Sequence, residues 1–383
     1  MRTIAIFTGN RSEYGILFPV IRAIAGHKNL DYKLIVSGAH LSEEHGNTLA
    51  EIEADGVAVA ERIDLGVGGS SESDPSQQIA RCIEGMGKIF RRMRPDIQLV
   101  LGDRYETFGA AIAAFLAGIP IAHLAGGDLS HGGCLDDSIR HAITRLAHIH
   151  FATNGDSAER LMRMGEEGWR VHNTGLPTLD QILSGEFFDA TTLSRELELD
   201  FSQPIILFTQ HPVTLEAERA GAQAHESLQP LQRLGLQTVI TYPNNDPGSD
   251  LIRAEIEKHR NIHHFRIYKS LGRKRYLGLM RIASVMVGNS SSGLMEAPSF
   301  KLPVVNVGSR QADRLRAGNV IDVECASETI EAAIRCALND RDFRAKVSRC
   351  VNPYGDGHAS ERVVRILAEL TTDERLLRKR MVL

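Results

Sequence analysis

The polar clusters that follow apolar runs are the places in this 383-residue chain where chemistry could be done. The run Ile282-Ala283-Ser284-Val285-Met286-Val287 reads as a buried strand, and Gly288-Asn289-Ser290-Ser291-Ser292-Gly293 then leads into a helix start. Backbone N–H groups and hydroxyls at such a turn, with the helix dipole behind them, suit an anion such as a phosphate. Glu296, one turn further on, could accept hydrogen bonds from a ribose diol. The same residues also fit an ordinary serine cap, with Glu296 completing a capping box, and the motif alone leaves both readings open.

Four more strands lead into clusters of this kind. Thr8-Gly9-Asn10-Arg11-Ser12-Glu13-Tyr14-Gly15 follows an N-terminal strand and puts Arg11 where a guanidinium could clamp a diphosphate, or simply sit on the surface near a cap. Gly102-Asp103-Arg104, Gly126-Gly127-Asp128 and Asp136-Asp137 place several carboxylates on loops after neighbouring strands. Crowded carboxylates push their pKa values apart, which supplies both an acid and a base near neutral pH, although aspartates there also cap helices. His211, in Thr209-Gln210-His211-Pro212, stands just past another strand and is a candidate for the same chemistry or a buried structural histidine.

Positioning these clusters requires a βα framework. The first half predicts strands 3–8, 32–37, 97–101, 119–124 and 149–153, alternating with helices 16–26, 42–55, 76–93, 105–117 and 137–147. The second half predicts strands 204–209, 237–241, 262–266, 284–288 and 303–307, with helices 220–234, 249–259, 273–281 and 292–299 between them. Nearly continuous apolar strands imply burial on both faces, and right-handed crossovers then give parallel sheets whose ligands sit beyond the strand C-termini. The fold class is α/β: two doubly wound Rossmann-like domains facing a cleft. The expected boundaries are 1–178, 179–365 and a helical tail 366–383, with 176–203 as the connection. The polar segment 66–74 reads as a loop exposed to solvent or closing on ligand.

Composition narrows the partners. With 43% hydrophobic and 24% charged residues the chain is that of a soluble globular protein, and no apolar run has membrane-span length. A net charge of −4 gives no global attraction to nucleic acid, so an anionic ligand must be held locally. Five scattered cysteines form no disulfide framework and no zinc spacing, and the N-terminus enters a strand without a signal-peptide pattern. These features predict a cytoplasmic protein with no metal.

The chain resembles the UDP-N-acetylglucosamine 2-epimerase family, specifically its hydrolysing, sialic and legionaminic acid pathway type. The residues carrying the resemblance are the Thr8–Gly15 block, Gly102-Asp103-Arg104, Gly126-Gly127-Asp128, Asp136-Asp137-Ser138-Ile139-Arg140-His141, His211-Pro212-Val213-Thr214, Tyr242-Pro243-Asn244-Asn245-Asp246, Gly288–Gly293 with Glu296-Ala297-Pro298, Gly308-Ser309-Arg310-Gln311 and Asn352-Pro353-Tyr354-Gly355. It implies the glycosyltransferase-B architecture, UDP-N-acetylglucosamine as the substrate with UDP and N-acetylmannosamine as the products, no cofactor, and a homodimer or homotetramer. It implies that Arg11, Arg104, Asn244, Ser290, Ser291, Glu296 and Arg310 bind the UDP-sugar. Asp103, Asp128, Asp136, Asp137 and His211 would carry out loss of the C2 proton, departure of UDP, formation of a 2-acetamidoglycal and its hydration.

One position departs from the family. Sialic-acid-pathway members carry a catalytic glutamate where this chain has Ala125, and the loop 129–135 contains an extra His131. Either Asp128 takes over that role or the substrate is a variant sugar such as UDP-2,4-diacetamido-2,4,6-trideoxyglucose. A glycosyltransferase or a non-catalytic nucleotide-sugar sensor would share the architecture.

Overall fold

The computed structural model describes residues 1–42, 48–66, 74–129, 135–244 and 246–382. The loop expectations at 67–73 and at His131, and Asn245 of the fifth motif, lie outside them. The described chain forms two compact units: Met1–Leu129, Leu135–Asp180 and the segment from Tyr354 make the first, Gln181–Pro353 the second.

The first unit is built on seven parallel strands, β1 (Arg2–Thr8), β2 (Leu30–Ser37), β3 (Val59–Ile63), β4 (Ile97–Leu101), β5 (Ile121–Leu124), β6 (Ile149–Ala152) and β7 (Val171–Asn173). Their order, β3-β2-β1-β4-β5-β6-β7, reverses between β1 and β4. Alternation along the strands explains the two cores. Ile4 and Ile6 of β1 join Leu34, Leu99 and Leu101 on one face, whereas Ala5 and Phe7 join Ile35 and Val100 on the other.

The second unit repeats the plan with six parallel strands, β8 (Ile205–Thr209), β9 (Gln237–Thr241), β10 (Phe265–Tyr268), β11 (Val285–Gly288), β12 (Val304–Val307) and β13 (Val320–Val323). The order is β10-β9-β8-β11-β12-β13, reversing between β8 and β11. Ile206, Phe208 and Val287 pack on one face, Ile205, Leu207 and Met286 on the other. At the end of β11, Gly288 has φ +126°, and a Cβ there would lie 2.0 Å from the Thr209 carbonyl oxygen, so this position requires glycine. No described helix is long and apolar enough to cross a membrane.

Several expectations are corrected. The first helix starts at Arg11, not 16, because Asn10 and Glu13 form a capping box. Edge strand β3 is additional to the expected strands: only Ile63 of Val59–Ile63 is buried, which leaves no apolar run in the sequence. The expected strand at 262–266 is shifted to Phe265–Tyr268. The connection 176–203 contains helices Thr178–Ser184 and Ala190–Leu197. The expected helix 292–299 is a four-residue helix, Ser292–Met295, and a 3₁₀ turn, Ala297–Phe300, since Pro298 has no N–H to continue the α-helical ladder.

The domain boundaries also move. Helix Ala359–Glu369 places Val363, Val364 and Leu367 in the core beside Leu17 and Ile21 of helix Arg11–Ala25. Asp180 accepts hydrogen bonds from Ala359 N at 2.9 Å and Ser360 N at 2.7 Å. Residues from Tyr354 onward therefore belong to the first unit, and 366–383 is not a separate tail.

Candidate functional site

In the first unit the polar residues follow β1, β4 and β5, next to the strand-order reversal. The link between the loops after β4 and β5 is Arg140, a buried residue of helix Leu135–Leu146. Its Nη1 donates to Asp137 Oδ1 and to the Asp128 carbonyl oxygen, each at 2.6 Å, and its Nη2 pairs with Asp103. One guanidinium thus compensates carboxylates from the β4 loop and from the first turn of the helix, while fixing the loop after β5. Asp136 stands beside Asp137 in that first turn.

Asp128 faces inward. Its Oδ1 accepts from Thr153 Oγ1 and Ser157 Oγ, both at 2.7 Å. Ala125 has φ +62°, a left-handed conformation that costs an alanine on the order of 1–2 kcal/mol. Gly127 (φ +79°) could not carry a side chain, because its Cβ would lie 2.4 Å from the Ser157 carbonyl oxygen.

A second charged group lies after β1. Glu13 Oε2 accepts Gly9 N at 2.7 Å and Asn10 N at 3.2 Å, and its Oε1 accepts from Thr107 Oγ1 at 2.9 Å. Burial, reinforced by the charge of Glu106, pushes the Glu13 carboxyl up to about 7 against the pull of those donors. Arg104 Nε reaches Glu106 at 3.4 Å, and although burial disfavours its charge, Glu106 and Glu13 raise its pKa. Arg11, by contrast, is paired with Glu51 at 2.8 Å and is one-third exposed.

His123 joins these loops from beneath. Its Nε2 lies 2.7 Å from the Gly102 carbonyl oxygen, so Nε2 carries the proton, and its Nδ1 is 3.4 Å from Thr144 Oγ1. Burial pushes this imidazole down to about 3, so it stays neutral.

The second unit gathers its residues after β8, β9, β11 and β12, four adjacent strands. Asn289 holds three of the loops together. Its Oδ1 accepts His211 N at 2.7 Å, its Nδ2 donates to His211 O at 2.9 Å, and its own carbonyl accepts from Gln311 Nε2 at 2.9 Å and Arg310 Nη1 at 3.4 Å. His211 Nδ1 accepts the Asn244 backbone N–H at 3.0 Å, which puts the ring proton on Nε2. Loss of water around the ring, with Arg310 nearby, pushes His211 down to about 3: it is a neutral donor. The Asn244 side chain pairs with Asp246, which lies 3.8 Å from Arg310.

After β11, Ser290 Oγ lies 2.9 Å from Ser292 Oγ, which lies 2.7 Å from the Tyr276 hydroxyl. Ser291 makes no side-chain cap, so the serine-and-glutamate capping box does not form. The four-residue helix also supplies little dipole, so any anion here would depend on the hydroxyls and backbone N–H groups themselves.

Asp103, Asp128 and Asp137 are thus brought together through Arg140, and His211, Asn244 and Arg310 through hydrogen bonds and charge. Ser290 and Ser291 precede the short helix Ser292–Met295, and Glu296 follows it. Arg140, Glu13, Asn289 and Tyr276 were missed as site residues, although Arg140 stands three residues after Asp137 on one helix face, a legible ion-pair spacing. Among the described residues no group of three or more His, Cys, Asp or Glu side chains is placed to hold a metal ion.

Comparison with known proteins adds to this geometry. The profile of the family described as UDP-N-acetylglucosamine 2-epimerase matches residues 22–368. A Legionella pneumophila protein named UDP-N,N'-diacetylbacillosamine 2-epimerase (hydrolyzing) is 36% identical over 99% of each chain. A Campylobacter jejuni GDP/UDP-N,N'-diacetylbacillosamine 2-epimerase (hydrolyzing) is 34% identical over 84% of each. A Neisseria meningitidis UDP-N-acetylglucosamine 2-epimerase is 31% identical over 90% of each. In fold, the chain is similar to a solved Neisseria meningitidis UDP-GlcNAc 2-epimerase bound to UDP-GlcNAc, with TM-score 0.82 and 22% identity over 97% of this chain and 100% of that one. Staphylococcus aureus MnaA, solved with UDP, gives 0.80 and 22% over 96% of each. The profile match spans both units and each polar cluster beyond the first strand loop, and the chain belongs to the UDP-N-acetylglucosamine 2-epimerase family.

Proposed function

We propose that this protein is a hydrolysing 2-epimerase of a UDP-linked 2-acetamido sugar, acting without a cofactor. The observation that supports this most is the Arg140 cluster, where Asp103 and Asp137 converge on one buried guanidinium. In the first step one carboxylate takes the C2 proton. The C–H electron pair becomes the C1=C2 double bond, and the C1–O bond breaks with its pair leaving on UDP. In the second step water adds its oxygen to C1 of the glycal while a proton returns to C2 on the opposite face. The products are UDP and a free manno-configured sugar. Asp103, Asp136 and Asp137 serve these proton transfers, because Ala125 has no acidic group and Asp128 is turned toward Thr153 and Ser157.

The second unit's residues hold the nucleotide in this reading. His211, neutral with its proton on Nε2, donates to the diphosphate as charge develops there, and Arg310, Ser290 and Ser291 add to that stabilisation. Glu296 accepts the ribose hydroxyls. Arg11 exchanges Glu51 for a phosphate when nucleotide is bound.

The preferred substrate is a UDP-2,4-diacetamido-2,4,6-trideoxy sugar, as the names of the 36% and 34% identical relatives suggest. UDP-N-acetylglucosamine is the second reading, favoured by the name of the 31% identical relative. Incubation with each nucleotide sugar and no acceptor tests both. Release of UDP with free 2-epimerised sugar is expected, at least about tenfold faster from the diacetamido substrate, since a pocket built for a second acetamido group leaves partners unpaired with the simpler sugar. A product still linked to UDP would contradict the hydrolytic reading, and equal or faster turnover of UDP-N-acetylglucosamine would contradict the substrate preference.

A further inference from the structure

The far end of the helix that carries the carboxylates is closed by the C-terminal segment. Lys379 Nζ lies 2.8 Å from the Thr144 carbonyl oxygen, 3.2 Å from that of Arg145 and 2.7 Å from that of Ala147, where helix Leu135–Leu146 ends. Such terminal carbonyls have no partner within their own helix, and an ammonium placed on them also opposes the negative end of the helix dipole. The same Nζ is 2.6 Å from Glu166, whose side chain is wholly buried and also meets His150 and Arg145.

The segment is pinned on both sides of Lys379. Arg170, wholly buried, donates to the carbonyls of Leu376 at 2.8 Å and Arg375 at 2.9 Å, and Val382 N donates to Gly165 O at 2.9 Å. Lys379 is therefore held at a fixed height against the helix.

Two routes lead from this cap to the charged cluster. Along the helix lie Arg140, Asp137 and Asp136. Across it, Thr144 meets His123, and His123 donates to the Gly102 carbonyl next to Asp103. A shift of the helix along its axis would thus move Asp137 and Arg140 against Asp103.

We propose that Lys379 is a positioning residue for the epimerisation: by capping helix Leu135–Leu146 at its C-terminal end it sets the register of Asp136, Asp137 and Arg140 against Asp103. This rests on the function proposed above. Small misplacements of reacting groups are expensive in rate, and in that reading helix Leu135–Leu146 carries none of the residues that hold the nucleotide.

The test compares Lys379→Met, which keeps length without charge, with Lys379→Arg, which keeps charge. Expected for Lys379→Met is a kcat about 10–100-fold lower with UDP affinity by calorimetry within twofold of the parent, and for Lys379→Arg a kcat restored to within about threefold. Parental kcat in Lys379→Met would overturn the proposal, as would equal losses in both variants or a fall in UDP affinity matching that in kcat. Hydrogen exchange of amides 140–147 is measured on the same proteins without substrate. Faster exchange in Lys379→Met than in Lys379→Arg is expected whether or not either nucleotide sugar turns over, and unchanged exchange would overturn the positioning role independently of the reaction.

Discussion

The strand ends of the first unit carry full charges that compensate one another, whereas those of the second carry mostly neutral dipoles beside the Arg310–Asp246 pair. Arg140, Asp103 and Asp137 form one charge-compensated group, and Glu13, Glu106 and Arg104 a second. In the second unit Asn289, Gln311, a neutral His211 and the Ser290–Ser292–Tyr276 hydroxyls form the network, with Arg310 at its edge. The two designs fail differently. Removing one member of a buried charge group leaves the others uncompensated, while removing one neutral hydrogen bond costs about 1 kcal/mol. Charges suit proton transfer on a sugar; fixed neutral donors suit recognition of a nucleotide that brings its own charge.

The largest effect is expected from Arg140→Met, which strands Asp103 and Asp137 and frees the Asp128 carbonyl. A loss of about 3–5 kcal/mol in unfolding free energy is expected by chemical denaturation, together with loss of turnover. A loss below about 1 kcal/mol would show that the cluster is not a compensated unit. Asp103→Asn removes a carboxylate but keeps a hydrogen-bond acceptor for Arg140. A kcat lower by about 10²–10⁴-fold with unchanged UDP affinity is expected, and parental kcat would remove Asp103 from the chemistry.

In the second unit, proposed to hold the nucleotide, the change should be smaller and appear in affinity. Glu296→Gln keeps the size of the side chain and a hydrogen-bonding oxygen, so the melting temperature is expected to change little. UDP binding should weaken about tenfold, as for one charge-assisted hydrogen bond. A lowered melting temperature with parental affinity would return Glu296 to a structural role.

The smallest effect is a difference in pH response. Burial, the leading cause in each case, lowers His40 and His148 to about 4 and His123 to about 3 in the first unit, and His211 to about 3 in the second. A depressed histidine contributes stability that is present above the unfolded value of 6.5 and is lost as pH falls. Glu13 acts oppositely: its contribution is full below 4.5 and is lost as pH rises through about 7. From pH 6.5 to 5 the first unit should therefore lose more stability than the second, as read by hydrogen exchange on β1 and β8. Equal losses would contradict this. Glu13→Gln should steepen the loss of the first unit as pH falls from 7.5 to 5, because the opposing gain from Glu13 is then absent.

The strands at the centre of both sheets were legible because burial on two faces leaves continuous apolar runs, as in Ile97–Leu101 and Ile205–Thr209. The half-exposed edge strand Val59–Ile63 leaves no such run and was not legible. Site residues were legible where they stand at strand ends, as Asp103 and His211 do. Glu13 was not, because the Thr107 and Glu106 that change its chemistry arrive from about 94 residues away. The return of the chain to the first unit at Tyr354 was invisible for the same reason. An amphipathic helix such as Ala359–Glu369 shows that it has a partner but not which one.

The central claim is that proton transfer at C2 and loss of UDP occur together. Turnover of the diacetamido nucleotide sugar in deuterated water, followed by mass spectrometry and proton NMR of the sugar, tests it most directly. The expected products are UDP and a free manno-configured sugar carrying one solvent deuterium at C2. A free gluco-configured sugar without deuterium would mean simple hydrolysis, a deuterated sugar still bound to UDP would mean reversible epimerisation, and either would contradict it.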